Sequence, residues 1–532
     1  MSIWRRSSSA RTGRLDLVAK PPRRPLDPGG RGWAAPGAGA ATYVQAPPRW
    51  RGTSIQVCGL WPFAVGSGAP MIGVPLGRSL VSDATICCDP ISWFMRAKLI
   101  LNPSATILGK PGLGKSTVVR RMVLGLAGFG VQPLILGDLK PDYRDLIDAL
   151  GGQVIDLAPG RGYLNVLDPG EAMAASDRLI GSQRTWLISD ARQRRANTVS
   201  GLITILRAGT PPSDREESVI GRAMEILDER HRGVPILKDL LQVVKDAPED
   251  VRAAALDRGD LAKYRDLTEG LEATLTSLAE GTSKLGSIFS RPTSQPMRRD
   301  SPVAFDLSGI DDGQLDLQAA ALLACWSNGF ATVNVSQVLA DAGLEPRRNY
   351  FVVLDELWRA LRSGRGIVDR IDALTRLNRQ RGVGQVMVSH TMSDLLALPA
   401  EEDRMKAKGF VERSGMVICG GLPRSEMEQL NEVVKLTEAE VDMITSWQDP
   451  AAWSANEDGE GDPPGLGNFL IKVGGRTGIP IHVDLTPVER ALNDTNKRWR
   501  DADAVAELTG ERAETLTEEP SADQAADLEE VY

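Results

Sequence analysis

Residues 106–117, TILGKPGLGKST, put Gly109, Gly114, Lys115 and Ser116 at the spacing G-x-x-x-x-G-K-[ST]. Glycines at such positions let a loop turn its backbone N–H groups inward around an anion, and the lysine adds a point charge at a nucleotide's outer phosphates. The cradle comprises Gly109, Lys110, Pro111, Gly112, Leu113, Gly114, Lys115, Ser116 and Thr117, with the Ser116 hydroxyl placed to ligate Mg²⁺. Hydrolysis also needs acids, and the run FVVLDE ends in two, Asp355 and Glu356. An Asp at a strand end holds the Mg²⁺ that bridges the β- and γ-phosphates, and the next acid orients or deprotonates the attacking water. A plainer role for the pair is to cap the helix that follows. A third run, QVMVSH, ends in Ser389 and His390, where a polar side chain could sense a γ-phosphate; a helix cap at Ser389 or Thr391 fits the sequence equally well. Arg376, Arg379, Arg381, Arg404, Arg413 and Arg424 are candidates to complete a neighbouring subunit's site as arginine fingers.

These residues need elements to hold them. Residues 105–108 form a short apolar run that predicts a buried strand before the glycine loop. After it, Val118, Val119, Met122, Val123 and Leu126 recur at helical spacing until Gly128 and Gly130, so the positive end of a helix faces the phosphates. A strand over 133–138, a helix over 143–150 and a strand over 152–157 continue the alternation of a parallel, layered α/β sheet. From 171 to 299 the rhythm turns helical, with stripes at Val199, Leu202, Ile203, Leu206 and at Val219, Ile220, Ala223, Ile226, Leu227, the second opened by the capping box Ser213–Glu216. Strands return at 303–307, 351–354 and 385–389, with a helix over 318–330. A hairpin is predicted from 468–473 and 479–485, followed by a helix capped at Thr486 with Pro487 first and Glu489 third. Residues 54–101 suggest short strands or an irregular lead-in.

The chain has 532 residues, 42% of them apolar, enough for two to four domains with a sizeable core. The expected division is a disordered basic leader (1–50), the first part of the catalytic core (51–170), a helical insertion (171–300), the second part with its hairpin (301–500) and an acidic disordered tail (501–532). A net charge of −8 argues against a generic polyanion binder. The charge is uneven: residues 1–50 carry nine Lys or Arg against Asp16 and Asp27, and residues 501–532 carry eleven Asp or Glu against Arg512. Five cysteines without a C-x-x-C pair suit a reducing, cytoplasmic compartment, and His231, His390 and His482, far apart, suggest no zinc site. No apolar run is long enough to span a membrane, so any membrane contact is peripheral.

Several stretches then act together. GKPGLGKST, LILGDLKPDY from Leu134, GGQVIDLAPGRGYLNVLDP from Gly151 with Asn165, LDELW around Asp355, Glu356 and Trp358, and LTRLNRQRGVGQVMVSHTMSDL from Leu374 resemble the ATPases of conjugative type IV secretion systems. These are the TraC-type or VirB-type motors of the HerA and FtsK superfamily, and the likeness spans roughly residues 54–500. The resemblance implies a RecA-like P-loop NTPase core, ATP and Mg²⁺ as cofactors and a homo-hexamer with ATP at subunit interfaces. It also implies a cytoplasmic position at the inner-membrane base of a channel whose proteins are its partners. That family's sensor strand usually ends in Gln, where His390 stands here. By position, Arg413 and Arg424 are the finger candidates it favours. The same motifs serve a DNA-translocating motor of the FtsK or HerA kind, with direct DNA contact, and a nucleotide-bound scaffold that does not turn over is a third reading.

Overall fold

In the computed structural model, which describes residues 70–281, 283–362, 368, 382–398, 400–449 and 463–492, alternate residues of each central strand feed two cores on opposite faces of one sheet. Ile107, Ile135, Phe351, Val353, Val386 and Val388 pack on one face, and Leu108, Leu134, Leu136, Val352, Leu354 and Met387 on the other. That is the two-residue side-chain period of a strand covered on both sides. The chain opens with β1 (Pro75–Ser79), β2 (Thr85–Cys87) and a helix α1 (Pro90–Met95). It continues with β3 (Ser104–Leu108), α2 (Lys115–Gly128), β4 (Gln132–Asp138), α3 (Arg144–Ala149) and β5 (Gln153–Asp156). The lead-in therefore holds a helix as well as short strands, because Asp89 accepts the Ser92 N–H at 2.7 Å and Pro90 takes the first helical position.

Between β5 and the next strand run α4 (Ala172–Asp177), α5 (Gly181–Leu206), α6 (Asp214–Arg230), α7 (Leu237–Asp246), α8 (Glu249–Ala255), α9 (Leu261–Ala279) and α10 (Gly286–Phe289). The capping box at Ser213 and Glu216 opens α6. Most of these helices share the sheet's core, Val199, Leu202, Ile220, Leu240 and Leu271 merging with Leu134, Leu136 and Leu354, whereas Ala172, Ala175, Leu187 and Ala191 form a separate cluster with Val335 and Leu339.

The second half supplies β6 (Val303–Asp306), α11 (Leu315–Asp341), β7 (Tyr350–Leu354), α12 (Leu357–Leu361), β8 (Val383–Ser389), α13 (Met392–Leu396), α14 (Glu401–Glu412) and β9 (Met416–Cys419). It closes with α15 (Met427–Val433), α16 (Glu438–Ser446), β10 (Asn468–Lys472), β11 (Ile479–His482) and α17 (Pro487–Leu492). Helix α11 runs 27 residues, well past the expected 318–330, and is buried on nearly all sides through its first half, as an all-apolar helix must be. Strand β9 has no counterpart in the sequence expectation.

Among the described residues the strands form one eleven-stranded sheet in the order β2-β1-β11-β10-β9-β3-β8-β7-β4-β6-β5. From β9 to β5 every pairing is parallel, whereas β10, β11, β1 and β2 extend it antiparallel. The C-terminal ends of β3, β8, β7 and β4 lie side by side, the edge where open α/β sheets bind ligands. The expected charged tails, Cys58, Arg376, Arg379 and Arg381 lie outside the described residues. Among the described residues no helix is long and apolar enough to cross a membrane.

Candidate active site

The cradle grows directly out of β3. Gly109 donates its N–H to the His390 carbonyl (2.9 Å) and Lys110 donates to the Gly421 carbonyl (2.9 Å), which ties the loop to the chain beyond β8 and β9. Gly112 and Gly114 take φ of 82° and 93°, the left-handed region that a side chain resists, and Gly114 is the cap of α2. Lys115 lies in the first turn, almost wholly buried, and its Nζ donates to the carbonyls of Gly109 (2.7 Å) and Lys110 (3.1 Å). Burial lowers the Lys115 ammonium to about 8, against the opposing pull of Asp355 and Glu356.

The two acids follow β7 across the same cleft. Asp355 accepts from the Tyr143 hydroxyl at 2.9 Å and from the Glu356 N–H at 2.8 Å. Burial, then the charge of Glu356, pushes the Asp355 carboxyl up to about 6. Glu356 stands at φ 50°, a left-handed turn that leaves both acids lining the cleft. Its Oε1 accepts from Lys140 Nζ at 2.9 Å, its Oε2 from the Trp358 indole at 2.6 Å, and His390 Nε2 lies 3.5 Å from Oε2. Burial works to raise the Glu356 carboxyl, but the Lys140 hydrogen bond and charge prevail and hold it below the usual carboxylate range. Burial lowers the His390 imidazole, with Glu356 pulling the other way. His390 Nδ1 and Ser389 Oγ are buried without a hydrogen-bond partner.

Three strands thus bring together Lys115, Ser116, Asp355, Glu356, Ser389 and His390 in a cleft of about 1180 Å³. Asp138, Lys140 and Asp142, which had no role from sequence, line it too, and Tyr143 bonds Asp355 beside them. Ser116 donates to Asp142 Oδ2 at 2.8 Å, and Asp138 accepts from the N–H groups of Asp142 (3.1 Å) and Tyr143 (2.8 Å). The available signal was the stretch LGDLKPDY, in which an acid ends a strand and is followed at once by a cation and a second acid. The far wall comes from the β10–β11 hairpin, where the ring of His482 meets Asn468 Oδ1 through Nδ1 at 2.8 Å.

Among the described residues no group of three or more His, Cys, Asp or Glu converges as a metal-binding cluster. A Mg²⁺ bound chiefly by phosphates and water needs only one or two protein oxygens. The Ser116 hydroxyl and the Asp355 carboxylate, both on the cleft wall, fit that demand.

Other expected residues lie elsewhere. Asn165 is buried beneath the helical insertion, donating to the Pro235 carbonyl at 2.8 Å and accepting from the Leu167 N–H at 3.0 Å. Arg404 donates to the Leu398 carbonyl at 2.7 Å. Arg413 precedes β9: its carbonyl accepts from Asn102, just before β3, so it occupies the sheet edge opposite the cradle, with its guanidinium 5.6 Å over the Phe410 ring. Arg424 follows β9, on the cradle's edge of the sheet, three-quarters exposed and 3.3 Å from Asp442. Neither lines this chain's cleft.

No protein-family model matches the chain, and no curated protein does. Among solved structures it is similar to VirB4 of Thermoanaerobacter pseudethanolicus, with 19% identity over 80% of this chain and 99% of that one, at a TM-score of 0.57. It also aligns with the plasmid coupling protein TrwB in complex with the ATP analogue ADPNP, at 14% identity over 74% of this chain and 87% of that one, TM-score 0.45. The likeness to VirB4, with the strand order and the cradle, shows a RecA-like P-loop fold.

Proposed function

We propose that this chain is an ATP-hydrolysing motor that energises assembly of, or transport through, a conjugative type IV secretion apparatus. The observation that carries the hydrolytic part is the meeting, in one cleft, of the glycine cradle with Lys115 and Ser116 from β3 and the acid pair Asp355–Glu356 from β7. The secretion assignment is supported by the ordered motifs of the sequence and by a fold like that of VirB4.

In this reading the N–H groups of residues 112–117 and the Lys115 ammonium bind the phosphates. Ser116 and Asp355 hold Mg²⁺, which when bound neutralises charge at the β- and γ-phosphates. Glu356, kept ionised by Lys140, orients a water and accepts its proton. His390, at the end of β8 beside Glu356, reports on the terminal phosphate. The working assembly is a homo-hexamer on the cytoplasmic side of the membrane, docked to channel proteins, with Arg413 or Arg424 reaching a neighbour's site.

The test is ATP turnover by the purified chain with and without single- and double-stranded DNA. Lys115→Ala should abolish turnover, and undiminished hydrolysis by that variant would sink the assignment. Glu356→Gln should still bind nucleotide while turning over about 10² to 10⁴ times more slowly. Turnover independent of DNA fits the secretion motor; strong, salt-sensitive stimulation by DNA would replace it with a DNA translocase.

A further inference from the structure

Lys140 belongs to neither the glycine cradle nor the acid pair, yet it stands between them. It follows β4 by two residues, lines the same cleft as Ser116, Glu356 and His390, and leaves half of its side chain exposed there. An ammonium offers three protons. One goes to Glu356 Oε1 at 2.9 Å, the hydrogen bond recorded for this group. On its other oxygen Glu356 is held by the Trp358 indole at 2.6 Å, and Trp358 is in turn flanked by Arg359 and Arg362, 5.2 and 4.6 Å from its ring. The carboxylate is thus gripped from two sides, by a rigid ring and by an ammonium with donors to spare.

Resting on the ATPase reading above, we propose that Lys140 is a second phosphate-site lysine. It donates at once to Glu356, which it already holds, and to a terminal-phosphate oxygen, and so ties the water-activating carboxylate to a bound triphosphate. The cleft's charge balance favours the contact. Asp142, Asp355 and Glu356 line the cleft together with Lys115, Arg120, Lys140 and Arg490, and a terminal phosphate adds negative charge that the Lys115 ammonium, buried in the cradle, does not offset alone. Lys115 is buried against the loop carbonyls, whereas Lys140, half-exposed, already touches the carboxylate that faces the attacking water. Diphosphates, lacking the outer group, should not engage it.

The experiment compares Lys140→Met and Lys140→Arg with the wild type. Binding of ADP and of a non-hydrolysable ATP analogue is measured by calorimetry, with kcat and KM for ATP and a thermal melt of each variant alongside. Loss of one charge-assisted hydrogen bond should weaken the triphosphate analogue by about tenfold or more while ADP affinity stays within about twofold. In Lys140→Met, kcat should fall further than KM rises, because Glu356 loses its partner. Lys140→Arg should restore part of both, since a guanidinium can also serve two acceptors. A merely structural lysine would lower the melting temperature and weaken both nucleotides alike. Equal losses, or none, would overturn the proposal. A wild-type protein that binds neither nucleotide would overturn the ATPase reading itself, a result distinct from selective failure at Lys140.

Discussion

Asp355 shows how the cleft stores a cost that its ligands can relieve. Its carboxyl is raised from 3.8 to about 6 by burial and by the neighbouring Glu356 charge, which corresponds to roughly 3 kcal/mol against the ionised form. A raised carboxyl binds its proton more tightly folded than unfolded, so the penalty stands fully above pH 6 and fades as pH falls from 6 towards 4. In chelator and without nucleotide, Asp355→Asn should therefore raise the melting temperature at pH 7.5, and the gain should shrink towards pH 4.5. A gain independent of pH would show that the carboxyl ionises freely. Mg²⁺ should protect the wild type and not the variant. At this scale the sequence was informative wherever chemistry is contiguous: the cradle and the acid pair each occupy one unbroken run. Lys140 and Tyr143 were silent because their meaning depends on partners 216 residues away for Lys140 and 212 for Tyr143, which only the strand order brings together.

Elements were legible in proportion to their length and periodicity. The cradle strand, its helix and the β10–β11 hairpin carry clear apolar runs with glycine stops; β9 carries one as well, MVIC between Gly415 and Gly420, and its pairing with β3 and β10 makes it a strand. That region is also held by an interaction no pattern foretells. Lys472, fully buried in β10, bonds both oxygens of Glu440 in α16 at 3.0 Å and the Arg476 carbonyl at 2.7 Å, while Gly478 donates to Glu440 at 2.6 Å. Glu440 also closes the capping box with Thr437. Removing one member leaves the other charge buried without its counter-ion, at a cost of about 3 to 5 kcal/mol. Lys472→Met should lower the urea midpoint accordingly and loosen the hairpin, which forms the far wall of the cleft, so nucleotide affinity should fall with it. The double variant Lys472→Met/Glu440→Leu should recover much of the loss. If the single variant unfolds at the wild-type midpoint, the pair is a bystander.

At the scale of the whole molecule, the sheet gives each candidate finger an address. Arg413 precedes β9 and lies at the edge away from the cradle, whereas Arg424 follows β9, three-quarters exposed and tied only to the exposed Asp442 among the ion pairs recorded for it. A side chain that must cross to a neighbouring subunit needs such freedom, because a pair this exposed adds little stability and is readily exchanged. If the proposed hexamer forms and places Arg424 in the next subunit's cleft, Arg424→Ala should cut turnover by about 10³ to 10⁵ with ADP affinity unchanged. Arg413→Ala should act chiefly on stability. The decisive measurement mixes two inactive proteins, Arg424→Ala and Lys115→Ala, and lets subunits exchange. A mixed ring contains intact cradles next to intact arginines, so turnover should reappear and depend on the mixing ratio. Mixtures that stay inactive, although subunit exchange is verified, would confine Arg424 to its own chain.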